Sequence, residues 1–319
     1  MDWIKAIQRA VDYIEDHITE RIDYEEVAKR AYSSSFHFQR VFGITCGYTL
    51  GEYIRMRRLS LAGSELLTGE VKVIDVAYKY GYETPESFSR AFLRYHGILP
   101  SQVKRGCLLK SFSRLTVNID LVGGSTMNYR IEKRPQMILT GYKKRFTGVP
   151  NGEERAKQEE QFFCTTRAKQ WLLRGMACGE SAEIDYCVVD NIGDDGYDFY
   201  IASRLDDWGR EVMYDHSVTG VEFMEDMGFE EIVIPERTYV VFETDKMKRP
   251  IGAYVDIRRK IVQEWLPSAG YVFSETPMPE SMGKRYLFDE GPEVVVLHWA
   301  RKPNSQDRFV EICLPIKEV

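Results

Sequence analysis

Apolar positions at the start of the chain recur at helical spacing. Ile4, Ile7, Ala10, Val11 and Ile14 mark one face, and the i, i+3, i+4 rule continues as far as Gln102. This pattern predicts seven short helices, over 2–17, 24–31, 35–45, 49–68, 72–79, 84–95 and 100–108, with Gly43, Gly47, Gly69, Gly81 and Gly97 at or near their ends. Between Ser111 and Asn128 the periodicity fails, and the run VGGST from Val122 to Thr126 has the composition of a linker. Strand-like runs rich in β-branched and aromatic residues follow: MILTGYKKRF, DYCVVD, YDFYIASRL, EEIVIPERTYVVFE, EVVVLHWA and RFVEICLPI. Two helical stretches interrupt them, 153–174 with the stripe Phe162, Phe163 and Trp171, and 250–266 with Tyr254, Ile257, Ile261 and Trp265. Helices among such strands predict an antiparallel sheet covered on one face. The expected fold is multidomain, with an all-α domain over 1–110, a linker over 111–127 and an α+β domain over 128–319.

The helical part contains a repeat. Phe38, Arg40, Phe42 and Gly47 recur as Phe88, Arg90, Phe92 and Gly97, the pattern F-x-R-x-F-x4-G, and each copy is preceded by a helix carrying Val-Ala, at Val27-Ala28 and Val76-Ala77. A small alanine lets a second helix cross closely, and a helix, a short turn and a helix with two buried Phe is the helix-turn-helix arrangement. Phe38 with Phe42, and Phe88 with Phe92, are expected in the core. Phe36, Gln39 and Arg40 are then expected outward in the first copy, and Glu86, Ser87, Ser89 and Arg90 in the second. Arginine pairs with guanine, glutamine with adenine, and serine hydroxyls with phosphates or base edges, so these sets suit double-stranded DNA. Two readers address major-groove segments about 34 Å apart. The helix predicted over 49–68 spans about 30 Å at 1.5 Å per residue, and its Arg55, Arg57 and Arg58 are candidate phosphate contacts. A repeated helical pair also serves as a protein-binding scaffold, on which an arginine between two Phe is only a solvated face.

Composition narrows the class. At 319 residues, 44% hydrophobic and 29% charged, the chain can bury more than one core. No apolar run nears the roughly 18 residues that span a bilayer, and MDWIKAIQRAVDYIEDH is amphipathic with acidic residues, unlike a signal peptide. A soluble, cytoplasmic protein is expected, with no membrane partner. The six cysteines are scattered and have no metal-ligand spacing, so neither a disulfide framework nor a metal or other cofactor is indicated. The net charge of −6 is uneven: residues 1–110 hold 16 Lys+Arg against 14 Asp+Glu, and the remainder 27 against 35. The first third is the more basic.

Two stretches, SSSFHFQRVFGITCGYTLGEYIRMRRL and VIDVAYKYGYETPESFSRAFLRYHGILPSQVKR, resemble the AraC/XylS family of bacterial transcription regulators over roughly the first 108 residues. The resemblance implies base contacts from Phe36, Gln39 and Arg40 and from Pro85, Glu86, Ser87, Ser89 and Arg90. Pro85 offers no side-chain donor, and Glu86 repels phosphate unless it accepts from a cytosine amine. The second reading helix is therefore expected to read fewer bases than the first. Residues 128–319 resemble the GyrI-like effector-binding domain, on NYRIEKRPQMILTGY, IPERTYVVFE, EWLPSAGY and the terminal FVEICLPIKE. That resemblance implies two β-α-β-β halves forming one sheet with a central groove. The match is weakest over Pro277–Asn304.

Glu311 stands out within FVEICLPI, because a charge buried there without a partner costs several kcal/mol, roughly. Strand alternation puts it on one face with Phe309 and Cys313, opposite Val310, Ile312 and Leu314. If that face lines a groove, Glu311 is a carboxylate awaiting a cationic ligand, as the resemblance also implies; if it is solvated, Glu311 is only polar. Among the aromatics able to stack on an organic cation, Tyr186, Trp208 and Trp265 are the candidates, with Trp299 behind them. The expected function is sequence-specific transcription regulation sensing a small organic, cationic effector, with RNA polymerase a further candidate partner. The alternatives are a hydrolase using Glu311 with Glu183 or Glu243, and a protein-interaction module. An Arg40 or Arg90 truncation tests the first reading, and a pull-down with residues 128–319 tests the last.

Overall fold

The computed structural model describes residues 3–104, 106–116, 127–150, 152–177, 182–215, 217, 223–265, 286–289, 291–300 and 305–318. The chain divides into two compact units, one formed mainly by residues up to Leu121 and the other mainly by those from Val122 onward. The Gly123-Gly124 pair and half of the segment 277–304 lie outside the described residues.

Six α-helices build the first unit: α1 (Trp3–Asp16), α2 (Tyr24–Arg30), α3 (Ser35–Cys46), α4 (Leu50–Leu66), α5 (Val73–Lys79) and α6 (Pro85–His96). Their starts are fixed by local chemistry. Asp23 accepts from Glu25 N, Thr84 accepts from Ser87 N, and Thr49 and Glu52 cap each other reciprocally at 3.0 and 2.9 Å. The repeat's four Phe residues are all buried, and Val76-Ala77, Phe88 and Phe92 join Leu59, Ala62 and Leu66 of α4 in one core cluster. Burying each such ring contributes about 1.5–3 kcal/mol. The helix expected over 100–108 is instead a single 3-10 turn, Pro100–Gln102, and the backbone from Val103 leaves it extended. Gly106, at φ +88°, is in a conformation that a helix does not accommodate.

Among the described residues the second unit is a nine-stranded antiparallel sheet with helices packed on it. Its strands are β1 (Tyr129–Arg134), β2 (Met137–Phe146), β3 (Ile184–Gly193), β4 (Gly196–Ser203), β5 (Glu230–Ile234), β6 (Arg237–Glu243), β7 (Tyr286–Phe288), β8 (Glu293–His298) and β9 (Phe309–Glu318), in the order β1-β6-β9-β8-β3-β4-β2-β5 with β7 on β9. The helices longer than one turn are α7 (Gly152–Thr165), α8 (Arg167–Met176), α9 (Asp207–Tyr214) and α10 (Ile251–Lys260), with a single helical turn at Phe223–Asp226 and a π turn at Ile261–Trp265. The run EEIVIPERTYVVFE is two strands, because Pro235 ends β5 and the chain bends into β6.

The helix expected over 153–174 breaks at Thr166. The Thr165 and Thr166 hydroxyls donate to Gln161 O and Phe162 O, at 2.8 and 2.6 Å, and such back-bonding competes with the helical ladder. The break changes the phase of the apolar stripe. Phe162 packs on Tyr142 and Phe146, whereas Trp171 is 70% exposed and leaves the expected core. A buried ion network fastens helices to sheet: Arg155 of α7 and Arg258 of α10 both donate to Glu293 of β8, at 3.0 and 2.5 Å, and to Pro150 O.

Candidate functional site

The two copies of the helix-turn-helix share a core and differ on the reading helix. At about 100° per residue, Phe38 and Phe42 define the inner edge of α3, and position 40 lies about 200° round from Phe38. His37, Arg40 and Val41 are all buried with them, so the buried arc of α3 reaches well beyond its apolar stripe. Arg40, expected outward, is 3% exposed. Phe36 and Gln39 are half-buried, and Gln39 Nε2 donates to Ser35 Oγ at 3.1 Å within its own helix.

In α6 the buried residues are Phe88, Phe92 and His96, a narrower arc, and Arg90, at the place of Arg40, is exposed. Glu86 is also exposed in the first turn, where the helix dipole favours an acid. Ser89 is half-buried, and Ser87 is used locally, its hydroxyl donating to Thr84 O at 2.8 Å. Arg94, one turn beyond Arg90, is exposed too and was not singled out by the sequence pattern. The outward face of α6 is therefore more open than that of α3, where Arg40 was expected outward and is buried. Of the three candidate phosphate contacts on α4, only Arg55 is exposed. Arg57 binds Glu15 at 2.8 and 2.6 Å, and Arg58 donates to Ile18 O and Glu20 O, so both brace the helical unit from within.

In the second unit Glu311 is 6% exposed and sits, as alternation predicts, on the face of Cys313. Its partners come from two strands. Arg130 and Arg134 of β1 donate to its two carboxylate oxygens, the latter at 3.1 Å, and His298 Nε2 of β8 lies at 3.3 Å. Arg130 also reaches Glu132 and Glu243, at 2.9 and 3.1 Å, and Arg134 reaches Glu132 at 2.6 Å. Burial alone raises the Glu311 carboxyl, but His298, Arg134 and Arg130 outweigh it and hold it down at about 2. Beside this cluster lies a cavity of about 410 Å³, lined among others by Tyr129, Arg130, Val241, Glu243, Asp245 and Lys246. That volume is within the range of small-molecule sites, about 300–1,000 Å³. The carboxylate expected to await a cation is thus occupied by the chain's own guanidiniums. The alternation in YRIEKR, which puts Arg130, Glu132 and Arg134 on one face, is the signal that points to them.

The sheet contains an internal control for this cluster. β1 runs into β2 through Pro135 but pairs with β6, while β5 runs into β6 through Pro235 but pairs with β2, so the two halves are equivalent at an offset fixed by the prolines. Glu243 is in register with Glu311, and at the equivalent point Lys143 is in register with Tyr200. Glu230 stands in the place of Arg130, and Ile232 and Ile234 stand in those of Glu132 and Arg134. Lys143 there donates to Tyr200 Oη at 3.3 Å and pairs with Glu230 at 3.5 Å. The fold builds the same strand pairs with Tyr200 in the place of Glu311; the buried carboxylate of this half is Asp198, two positions along, bonded by Arg145 at 3.3 Å, so a carboxylate at the Glu311 position itself is not a requirement of the sheet.

The structure brings only one of the candidate aromatics into line with Glu311. Tyr186 pairs with Val296, which pairs with Glu311, so they share a row across the sheet, about two strand spacings of 4.8 Å apart. Trp265 is on the helix-covered face, 4.8 Å from the Phe242 ring and 5.3 Å from that of Tyr129, and so backs a residue of the cavity rather than facing Glu311. Trp208 is 52% exposed on α9, and Trp299 donates to Asp185 at 2.8 Å. Among the described residues no group of three or more potential metal ligands is assembled, and no helix is long and apolar enough to cross a membrane.

Comparison with known proteins gives a family model, described as a helix-turn-helix domain, that matches residues 27–106. The regulatory protein SoxS of Escherichia coli K12 is 39% identical over 100 residues, which are 31% of this chain and 94% of SoxS. The HTH-type transcriptional regulator YbfP of Bacillus subtilis is 36% identical over 100 residues, 31% of this chain and 34% of YbfP, so the chain spans about a third of that relative. A solved structure, SAV2435 bound to tetraphenylphosphonium, is 15% identical with a TM-score of 0.40 and covers 60% of this chain and 94% of SAV2435.

Proposed function

We propose that this chain, which belongs to the AraC/XylS family of helix-turn-helix transcription regulators, binds promoter DNA chiefly through α6 and senses a small organic cation through the carboxylates around Glu311. The DNA reading is supported by the exposure of Arg90, Arg94 and Glu86 on one helix whose Phe88 and Phe92 anchor it to the core. A measurement of affinity for a cognate promoter at defined salt tests it: Arg90→Ala weakens binding, and an unchanged affinity removes α6 from the interface.

The effector reading is carried by one observation. Glu311 is a buried carboxylate whose place is taken by Tyr200 in the other half of the same sheet, and its cluster adjoins a cavity of ligand size. The three carboxylates Glu132, Glu243 and Glu311 outnumber the two guanidiniums among them, so the cluster favours a cation, and Val241 offers it an apolar contact at the cavity. Calorimetry with a panel of organic cations on wild type, Glu243→Gln and Glu311→Gln is the test, with thermal unfolding of each variant alongside. Equal affinities in all three remove these carboxylates from the site. A hydrolytic role for Glu311 with Glu243 is disfavoured, because general acid or base work calls for a carboxyl raised toward neutrality and Glu311 is held at about 2.

A further inference from the structure

The cluster that marks the effector site is already filled by a cation of the chain's own. Arg130 touches three carboxylates, Glu132, Glu243 and Glu311, yet its side chain is 42% exposed and lines the 410 Å³ cavity. Arg134 is different: its side chain is 16% exposed, it is not among the cavity's lining residues, and it too bonds Glu311. Glu311 therefore keeps Arg134 and His298 if Arg130 leaves, whereas Glu243 and one oxygen of Glu311 become available to whatever enters. A ligand that pairs with both carboxylates competes with Arg130 for those oxygens. The other half of the sheet shows that an arginine at this position is no structural necessity, since Glu230 stands there.

We infer that Arg130 is a built-in competitor, an internal cation that holds the effector carboxylates until an organic cation displaces it. This inference rests on the effector reading above and deepens it. It sets a threshold for the ligand: a cation must outcompete a tethered guanidinium that forms hydrogen bonds to all three carboxylates, so a bulky apolar cation that also fills the cavity beside Val241 succeeds where a small hydrated one fails. If the internal contact is made nine-tenths of the time, its removal tightens ligand binding about tenfold.

The test is calorimetric titration of the full chain with benzyltributylammonium, for wild type, Arg130→Gln and Glu243→Gln, with the sodium salt of benzenesulfonate as the anionic control. Arg130→Gln is chosen because Glu311 retains Arg134 and His298 in it. The expected result is binding by wild type, about tenfold tighter binding by Arg130→Gln and weaker binding by Glu243→Gln. If wild type binds the cation and Arg130→Gln binds it equally or less well, the competitor role is overturned while the effector reading stands. If benzenesulfonate binds wild type and loses affinity in Arg130→Gln, Arg130 is an anion ligand and the inference is overturned. If neither wild type nor Arg130→Gln binds the cation, the effector reading fails and the inference with it.

Discussion

Each unit of this protein is built from a duplication, and in each the two copies keep the packing residues and part company in the exposed or charged ones. In the helical unit Phe38, Phe42, Phe88 and Phe92 are equally buried, while Arg40 is buried and Arg90 is open. In the sheet unit the strand registers match, while Glu311 with its arginines stands at one end and Tyr200 with Lys143 at the other. The lesson is the same twice: what the copies share is what the fold needs, and what they do not share is free to carry chemistry. Mutations that treat equivalent positions alike should therefore give unlike results.

The largest contrast is expected between Glu311→Gln and Tyr200→Phe. The first removes a buried charge and leaves the half-buried Arg134 and the exposed Arg130 short of their shared partner, which costs about 3 kcal/mol, and the second removes one hydrogen bond at about 1 kcal/mol or less. Urea unfolding of the two variants reads the difference, and equal losses would mean that the carboxylate cluster is part of the scaffold after all. Acid sharpens the same point. Because the folded-state carboxyl of Glu311 lies at about 2 against an ordinary 4.5, the unfolded chain binds the proton first. The stabilisation is complete above pH 4.5 and is lost as pH falls through about 2, a loss of about 3 kcal/mol that Glu311→Gln should abolish.

In the helical unit the contrast is between stability and binding. Arg40→Ala removes a buried charged side chain and is expected to lower stability by about 2–3 kcal/mol. Arg90→Ala is expected to leave the unfolding midpoint within about 0.5 kcal/mol of wild type and to weaken promoter binding by about 1–3 kcal/mol. Thermal unfolding and binding measured on both variants check this. If Arg40→Ala lost affinity at unchanged stability, the buried and open copies would have to be exchanged.

How far such contrasts were legible in the sequence depends on the range of the interaction. Six helices lie within about two residues of the apolar pattern, because spacing and caps such as Thr49 and Thr84 are local. The face of Glu311 also followed from alternation. Its partner Arg130 lies 181 residues earlier, and only the register of β1 on β6 beside β9 brings them together. Arg40 escaped for a different reason. Helical phase gives the direction of a side chain, whereas the width of the buried arc depends on what packs around the helix. The helix expected over 153–174 failed locally, at hydroxyls of Thr165 and Thr166 that a count of apolar positions ignores.

The smallest expected effect concerns the turns inside the two helix-turn-helix copies. Both place a residue at positive φ after the first helix, Tyr32 at +55° in one and Gly81 at +80° in the other. A side chain in that region costs about 1–2 kcal/mol, which glycine avoids. In the second copy, Gly81→Ala adds that strain, and its Cβ falls 2.8 Å from Arg58 Nη1, on a guanidinium already held by Ile18 O and Glu20 O. A loss of about 1–2 kcal/mol is expected there. In the first copy, Tyr32→Gly relieves strain of that size but forfeits the stacking of Arg9 over the Tyr32 ring, at 5.2 Å, and enlarges the freedom of the unfolded chain. The two terms are similar, so its stability should stay within about 0.5 kcal/mol of wild type. A gain well above that would show that Tyr32 is kept in its strained conformation at the expense of stability, as a surface residue of the first copy rather than as a turn former.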